Sequence, residues 1–443
     1  MTTQEAVSPT RAGAGQGYPE IGDHGLIGDL QTAALVSTDG VIDWFCAPRF
    51  DSPSVFASLL DHQRGGHFRI GCATPSTTKQ LYFPNSAVLM TRFMTGDGVG
   101  EVLDFMPLDD PQKASDRHRI VRVIRTVRGS MRFALHCAPR FDYGRGRHEV
   151  AMTDAGAVFF IDGTALTLHT PIKLEHDGQD VRAEFTLQQG QAEVVVLDSG
   201  PRVMPRPVSR PEVLEMAQTT IDHWQSWIRR STYQGRWREF VHRSAITLRL
   251  LTYAPTGALV AAPTAGLPEQ VGGGRNWDYR FTWIRDASFT IYAMIGLGFV
   301  DEAAAFLLWL NDRIVDHVGT DSGPLKIMNR VDGSSDLKEE ALEHLEGYRG
   351  SRPVRIGNGA ADQLQLDIYG EAMDSVYQAH RNGIRVGNRG WTHLRSITDW
   401  LCVNWDRPDE GIWETRGGRQ NFTYGRLMSW VALDRVVRIA RDL

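Results

Sequence analysis

The chain has 443 residues, of which 42% are hydrophobic and 23% charged, and its formal net charge at pH 7 is −5. These values are ordinary for a folded protein of two or three domains, and they exclude a disordered, collagen-like or strongly charged chain. Lys and Arg are scattered rather than clustered, so the sequence offers no basic surface and predicts no nucleic-acid partner.

The four cysteines, Cys46, Cys72, Cys137 and Cys402, are widely separated and form no CxxC pair. This spacing fits neither a zinc site nor a small disulfide framework, so we expect buried free thiols in a reducing compartment. Residues 1–17 are small and polar and predict a loose tail rather than a secretory signal. No stretch reaches the roughly 18–20 apolar residues of a membrane span. A cytoplasmic protein without a membrane partner is expected.

Motifs of several large enzyme classes are missing from the sequence. It contains no GxxxxGK phosphate loop, no HExxH pair, no GxSxG elbow and no His-rich cluster. These absences argue against nucleotide-dependent, zinc-protease and serine-hydrolase chemistry. We therefore expect neither a cofactor nor a bound metal.

Residues 18–200 have the texture of an antiparallel β domain, because short runs rich in Val, Ile, Phe and Thr alternate with Gly, Asp, Asn and Pro. Three hairpins are predicted, with turns at 37–40, 96–98 and 128–130. Many closely spaced strands joined by tight turns favour an antiparallel β-sandwich over a parallel sheet. Further strands are predicted at 158–161, 165–169, 181–187 and 192–197.

Residues 201–235 are predicted to form a linker that begins with a segment rich in proline and arginine and continues as a helix. The remainder, 236–443, shows helical periodicity interrupted by Gly- and Pro-bearing loops. Because long loops beside a helical array carry functional side chains, we expect the site there. The six predicted helices are 236–253, 286–297, 301–318, 360–381, 391–405 and 424–441.

Three of these loops place a tryptophan within three residues of a carboxylate, at Trp277, Trp283 and Trp413. Indole rings stack on the apolar faces of sugars, while carboxylates and guanidinium groups bind hydroxyls. A single tryptophan of this kind favours core packing, but three on loops between helices favour a carbohydrate site.

Two candidate sites leave alternatives open when judged from the residues alone. Arg285 and Asp286 precede a predicted helix, where they suit either polyol binding or an N-capping Asp in a local ion pair. Glu414 lies between an indole and a guanidinium, which suits either a general acid with a raised pKa or an exposed turn residue.

Two further charged segments are assigned less specific roles. The loop 349–358 has three arginines without compensating acids, which suits either ligand binding or an ordinary surface loop. Glu340, Glu343 and Glu346 recur at helical spacing and are predicted to form a solvated face.

Five segments, taken together and in this order, resemble glycoside hydrolase family 15, which contains glucoamylases, glucodextranases and bacterial trehalases. The resemblance begins near residue 18 and continues to the last residue. It implies a β-sandwich at 18–200, a helical linker at 201–235 and an (α/α)6 barrel with the active site in 236–443. The resembling segments are 40–53, 256–264, 277–280, 350–358 and 412–414.

The resemblance also implies an activity and a set of site residues. Members of the family cleave α-glucosidic bonds from the non-reducing end with inversion and release β-D-glucose. By position, Glu414 is the implied general acid, and Arg285 and Asp286 are implied to bind the non-reducing glucose. The other implied sugar-binding residues are Tyr279, Trp283, Trp413 and, on the leaving-group side, Arg352.

The implied small-molecule partner is an α-glucoside, with trehalose favoured over maltooligosaccharides. The run at 346–353 resembles the bacterial trehalase and glucoamylase-like branch of the family, and Thr415 stands where fungal glucoamylases carry a second Glu. The alternatives are a glucoamylase- or glucodextranase-type hydrolase of α-glucans, and a catalytically inactive glucoside-binding protein that lacks the general base.

An inverting glycosidase needs a base as well as an acid, with the two carboxyls roughly 6.5–9.5 Å apart. In the family the base lies well downstream of the acid, whereas here one long helix follows Glu414. Six helices are predicted where the closed barrel has twelve, so an incomplete barrel is expected, with the base beyond Leu443. Uncovered apolar helix faces favour association, and a homo-oligomer is therefore also expected.

Overall fold

The computed structural model describes residues 17–314 and 323–443. The predicted tail at 1–17 lies almost wholly outside the described residues, as does the end of the helix predicted at 301–318. The chain divides into two compact units. The β unit contains the chain up to Ile228 with Gln270–Gly274 and His344–Arg352, and the helical unit contains Arg229–Glu269, Arg275–Glu343 and Pro353–Leu443.

The described residues of the β unit form fifteen antiparallel strands connected in one sheet. The predicted hairpins at 37–40 and 96–98 are confirmed, because β2 pairs with β3 and β7 pairs with β8. The strands are β1 His24–Gly28, β2 Ala33–Ser37, β3 Val41–Cys46, β4 Ser54–Phe56, β5 His67–Cys72, β6 Thr77–Tyr82, β7 Leu89–Met94, β8 Gly98–Phe105, β9 His118–Ala138, β10 Glu149–Thr153, β11 Gly156–Ile161, β12 Thr164–His169, β13 Glu175–Asp177, β14 Asp180–Gln188 and β15 Ala192–Gly200.

Strand β9 joins the two halves of this sheet. Its first half pairs with β8 and β15, and its second half pairs with β5 and β14. The hairpin predicted at 128–130 is therefore wrong, since one strand continues through these residues without reversing. Gly129 has a φ of +68°, and a Cβ there would lie 2.0 Å from the carbonyl oxygen of Asp97. This glycine bends the strand without reversing it.

Apolar side chains from both halves of the sheet meet in a single core. Phe45 and Phe68 enter it from β3 and β5, and Leu166 and Val195 enter it from β12 and β15. Phe133, on the shared strand β9, packs in the same cluster. Inward-facing residues alternate with polar ones along the strands, so each half buries one face against the other.

Helices dominate the rest of the chain. The helix α1, Arg210–Ile228, closes the first segment of the β unit, and six α-helices follow among the described residues of the helical unit. They are α2 Arg238–Leu250, α3 Ile284–Gly296, α4 Val300–Ile314, α5 Asp367–Arg381, α6 Asn388–Asn404 and α7 Thr423–Asp442. Short strands lie between them: β16 Thr252–Tyr253, β17 Ala258–Leu259, β18 Ala265–Pro268, β19 Asn276–Asp278, β20 Thr282–Trp283, β21 Met328–Asn329, β22 Glu340–Ala341 and β23 Arg355–Ile356.

Helix α5 begins later than the predicted 360–381. Residues Gly359–Asp362 form a separate 3-10 turn, whose first free amide, that of Ala360, is capped by the side chain of Asn358. The extended backbone of Gln363 then ends this turn. A capped short turn followed by an extended residue separates the segment from the helix.

Of the four cysteines, three are buried free thiols as predicted, but Cys402 is exposed. The buried side of α6 runs through Leu394, Ile397 and Leu401. Cys402 lies about 100° around the helix from Leu401, so it leaves this buried stripe. No helix in the described part of the chain has the length and apolar character needed to cross a membrane.

Candidate functional site

A cavity of about 680 Å³ opens in the helical unit beside the loop that carries Glu414. Six of the seven predicted site residues line it: Tyr279, Trp283, Arg285, Asp286, Trp413 and Glu414. The seventh, Arg352, lies in the segment of the β unit that follows His344, where its Nε donates to the carbonyl oxygen of Glu346 at 3.3 Å. In the described residues no group of three His, Cys, Asp or Glu is arranged to hold a metal ion.

Strand β20 and helix α3 position three of these side chains. Trp283 is the N-cap of α3 by its extended backbone, so Arg285 and Asp286 stand in the first helical turn. The alternative of an N-capping Asp in a local ion pair is therefore wrong. Among the described residues none forms an ion pair with the Asp286 carboxylate, which is exposed towards the cavity. It is free to accept hydrogen bonds from a bound ligand.

The Glu414 carboxyl is held against the indole of Trp283. Trp283 donates from Nε1 to Oε1 of Glu414 at 2.7 Å, and Nη2 of Arg285 lies 3.5 Å from the same oxygen. The Glu414 side chain keeps 23% of its surface exposed, so it is not an ordinary exposed turn residue. Burial raises the pKa of Glu414, while Trp283 and Arg285 oppose that rise. A carboxyl with a raised pKa suits proton donation.

The backbone at Glu414 is strained. Its φ is +52°, in the left-handed region that residues with a Cβ rarely adopt. Two hydrogen bonds between the backbones of Asp409 and Gln420 close the base of the loop. Nε2 of Gln363 donates to the carbonyl oxygens of Glu414 and Thr415 at 3.3 and 3.4 Å. Surrounding structure must hold such a conformation, and strained positions of this kind cluster at active sites.

Sequence reasoning missed the residues that orient Arg285. Its Nη1 donates to Oδ2 of Asp367 at 2.9 Å and to Oε1 of Gln365 at 3.0 Å. Asp367 is only 1% exposed and lies at the first position of α5. Arg285 is about 80 positions from the other two residues in sequence, so no local pattern could connect it to them.

Replacing Asp367 by Asn is expected to lower the free energy of unfolding of the helical unit by about 2 kcal/mol, since a hydrogen bond to a charged partner becomes a neutral one. Arg285 also loses the charge that orients it at the cavity. Urea denaturation measures the loss of stability. The matched control is Asp374→Asn on the same helix, which breaks a more exposed ion pair with Arg435 and costs at most about 1 kcal/mol.

A second group that sequence reasoning missed surrounds Trp277. The guanidinium carbons of Arg355 and Arg416 lie 4.6 and 4.3 Å from the centroid of its ring. Both arginines pair with Glu339, at 3.4 Å for Arg355 and 2.7 Å for Arg416. The indole Nε1 of Trp277 donates to Oε1 of Glu269 at 3.1 Å. Cations over an indole face are held by the ring quadrupole as well as by their carboxylate.

Two interpretations of charged segments need correction. Two of the three arginines of loop 349–358 are not uncompensated, because Arg349 pairs with Glu20 at 2.8 Å and Arg355 with Glu339. Their acidic partners lie outside the loop, where its local sequence does not show them. The glutamates at 340, 343 and 346 are exposed as predicted but are not on a helix, since the first belongs to strand β22 and the others lie in loop.

Two family models match this chain, one in each half. Residues 235–443 match the family model described as glycosyl hydrolases family 15, and residues 13–219 match the trehalase-like N-terminal model. A trehalase of Mycolicibacterium smegmatis is 37% identical, over 96% of this chain and 66% of that protein.

Two archaeal relatives show similar values. A trehalase of Thermoplasma volcanium is 35% identical over 97% of this chain and 68% of its own length. One of Thermoplasma acidophilum is 36% identical over 92% of this chain and 70% of its own length. The chain thus spans about two thirds of the length of these relatives. With such identity along nearly its whole length, this chain belongs to glycosyl hydrolases family 15.

Proposed function

We propose that this protein is an exo-acting α-glucoside hydrolase that cleaves trehalose with inversion and releases β-D-glucose from the non-reducing side. The observation that carries the proposal is the Glu414 carboxyl, which has a raised pKa and faces a cavity shared with Arg285 and Asp286. The trehalases among its relatives favour trehalose as the substrate.

In this mechanism the protonated Glu414 gives its proton to the glycosidic oxygen as the bond between that oxygen and the anomeric carbon breaks. The proton neutralises the charge that would otherwise build up on the leaving sugar. Water attacks the opposite face of the glucose ring with help from a base, as inversion requires. Arg285 supplies fixed donors and Asp286 supplies acceptors for the glucose hydroxyls.

Aromatic side chains complete the proposed glucose subsite. The rings of Tyr279 and Trp283 lie 5.7 Å apart with a tilt of 44°, and Trp413 presents 78% of its surface to solvent. The partly exposed ring of Tyr279 and the exposed ring of Trp413 offer apolar faces for a sugar. The buried ring of Trp283 packs against Tyr279 and holds the Glu414 carboxyl. Arg352, which resembles a leaving-group residue by position, stays a proposal for the second sugar.

The proposed architecture follows the family. The β unit corresponds to the β-sandwich proposed at 18–200, with a linker at 201–235, and helices α2–α7 belong to an (α/α)6-type arrangement in 236–443. The exposed apolar side chains Phe289, Tyr292 and Trp430 on these helices support association with further protein surface.

Glucose release by the purified 443-residue chain tests the function. Trehalose and maltotetraose are offered separately, and Glu414→Gln serves as the control. Release from trehalose that is lost in the variant supports the proposal, whereas release from maltotetraose alone would support the glucoamylase-type alternative. Glucose binding without turnover on either substrate would support the glucoside-binding alternative.

Replacing Trp283 by Phe is expected to move the high-pH limb of the kcat profile to higher pH. The indole N–H stabilises the ionised Glu414, so its removal favours the protonated form and raises the pKa of Glu414 further. A general acid works only when protonated, so activity extends to more alkaline pH. The measurement is kcat on trehalose between pH 4 and 9.

The control for this variant is Trp309→Phe. Trp309 is 4% exposed, against 3% for Trp283, and it stacks on Phe306 in α4. Trp309→Phe therefore removes the same side-chain volume from the core as Trp283→Phe, at a position that does not touch Glu414. If the high-pH limb of the kcat profile did not move in Trp283→Phe, or moved equally in Trp309→Phe, the assignment of this limb to Glu414 would be contradicted.

A further inference from the structure

Arg416 gives the strained turn at Glu414 an anchor in addition to the hydrogen bonds from Gln363 to the carbonyl oxygens of Glu414 and Thr415. The backbone pairing of Asp409 and Gln420 lies at the base of the loop, several residues from the acid. At the tip, the amide of Glu414 donates to the carbonyl oxygen of Gly411 at 3.1 Å. Arg416, two residues after the acid, is anchored to Glu339 by two hydrogen bonds. A residue held in the left-handed region persists only where its neighbours fix it.

Glu339 is itself fixed from three directions. Its Oε2 accepts from Nη2 of Arg416 at 2.7 Å and from the amide of Gly359 at 2.9 Å. Its Oε1 accepts from Nη1 of Arg416 at 3.2 Å and lies 3.4 Å from Nε of Arg355. Burial opposes the charge of Glu339, but Arg416, Gly359 and Arg355 outweigh it and lower the pKa of this carboxyl. The pKa of Glu339 is thus shifted in the opposite direction to that of Glu414.

Trp277 sets the position of Arg416 from the other side. Its ring lies against the guanidinium groups of both Arg416 and Arg355, and its N–H is held by Glu269. Arg416 thus has a planar ring and a bidentate carboxylate as partners, which restrict it far more than one flexible ion pair would. Trp277, Arg416 and Glu414 line the same cavity.

We propose that Glu339 is a positioning residue for the general acid: through Arg416 it holds the strained turn that aims the Glu414 carboxyl at the glycosidic oxygen. Glu339 is absent from the residues that line the cavity, so it acts through Arg416 rather than on the sugar. The inference rests on the proposed function of Glu414 and names a residue outside the glucose subsite.

The kinetic test compares Glu339→Gln with Glu343→Gln, an exposed glutamate four residues away in the same part of the chain. Trehalose has a poor leaving group that needs the acid, whereas 4-nitrophenyl α-glucoside has a good one that does not. Glu339→Gln should lower kcat on trehalose by roughly tenfold and on the aryl glucoside by less than about twofold. Glu343→Gln should change neither. Equal losses on both substrates would overturn the proposal.

An NMR measurement decides the proposal without any turnover. The indole N–H of Trp283 touches Glu414 but is not bonded to Glu339 or Arg416, so its signal reports where the carboxyl lies. The ¹H–¹⁵N indole signal of Trp283, assigned by its absence in Trp283→Phe, should shift in Glu339→Gln. In Glu339→Asp it should return close to its original position only if the shorter carboxylate still binds Arg416. Arg416→Lys, which keeps the charge but loses the bidentate fork, should shift it too.

The two measurements separate the possible failures. An unchanged Trp283 signal in both Glu339→Gln and Arg416→Lys, with intact circular dichroism, would overturn the positioning role. A shifted signal in a chain that hydrolyses neither substrate would support positioning while contradicting the proposed hydrolysis. Glu343→Gln should leave the signal in place.

Discussion

Replacing Glu414 by Gln is expected to lower kcat for trehalose by about 10²–10⁴-fold, the range that general acid catalysis contributes. The amide has nearly the same shape as the carboxyl, and its oxygen can still accept the hydrogen bond of Trp283. It cannot release a proton to the glycosidic oxygen. The loss should therefore fall on kcat, while the affinity for glucose, which we propose to depend on Arg285 and Asp286, stays within about twofold.

The leaving group distinguishes an acid from a merely structural residue. On 4-nitrophenyl α-glucoside, whose leaving group departs without protonation, Glu414→Gln should lose far less activity than on trehalose. Initial rates on both substrates and calorimetric titration with glucose make the comparison. Asp286→Ala should differ from Glu414→Gln in this titration, because it should weaken glucose binding. If Glu414→Gln lost activity equally on both substrates, or hydrolysed trehalose at the wild-type rate, the role of Glu414 would be contradicted.

Replacing Arg122 by Met is expected to lower the free energy of unfolding of the β unit by about 3–5 kcal/mol, the usual cost of stranding one member of a buried ion pair. Arg122 and Asp104 are both fully buried. Nε of Arg122 donates to Asp104 at 2.7 Å, and its Nη1 and Nη2 donate to the carbonyl oxygens of Phe68 and Gly40, both at 2.8 Å. Methionine fills the space but removes a donor from three buried acceptors, of which the Gly40 carbonyl keeps the amide of Ile70.

Chemical denaturation followed by circular dichroism measures this loss, with the transition of the β unit analysed separately from that of the helical unit. The double variant Arg122→Met with Asp104→Leu should recover part of it, since the stranded carboxylate is removed. Arg132→Met is the control, because its pair with Glu184 is exposed and should cost less than about 1 kcal/mol. A loss in Arg122→Met no larger than in Arg132→Met would contradict the prediction.

Local patterns predicted most of the elements of this chain. Hairpins such as β2–β3 follow from a Gly-containing turn between two apolar strands, and helices such as α7 follow from apolar residues at helical spacing. Trp413 and Glu414 could also be predicted as site residues from the sequence, because they are adjacent in one loop. Such features depend on residues a few positions apart, and their chemistry is visible in the sequence.

The hairpin at 128–130 shows where local reading fails. Gly129 between two β-forming runs is a turn signal, yet β9 continues through it because partners on both sides, from β8 to β14, extend its ladder. Propensity is weak compared with a full set of backbone hydrogen bonds. The late start of α5 has a similar cause, since Asn358 caps a short turn before the helix can begin.

The sequence by itself determined the β-then-helical order, the family, and six of the side chains that face the cavity, because each depends on short-range patterning or on motifs. Only the tertiary structure decided which distant residues hold those side chains in place. Asp367 orients Arg285, and Glu339 holds Arg416 beside Glu414, across separations of about 80 residues. An ion pair needs only two charged groups a few ångströms apart in space, so its partners leave no periodic or local signal in the chain.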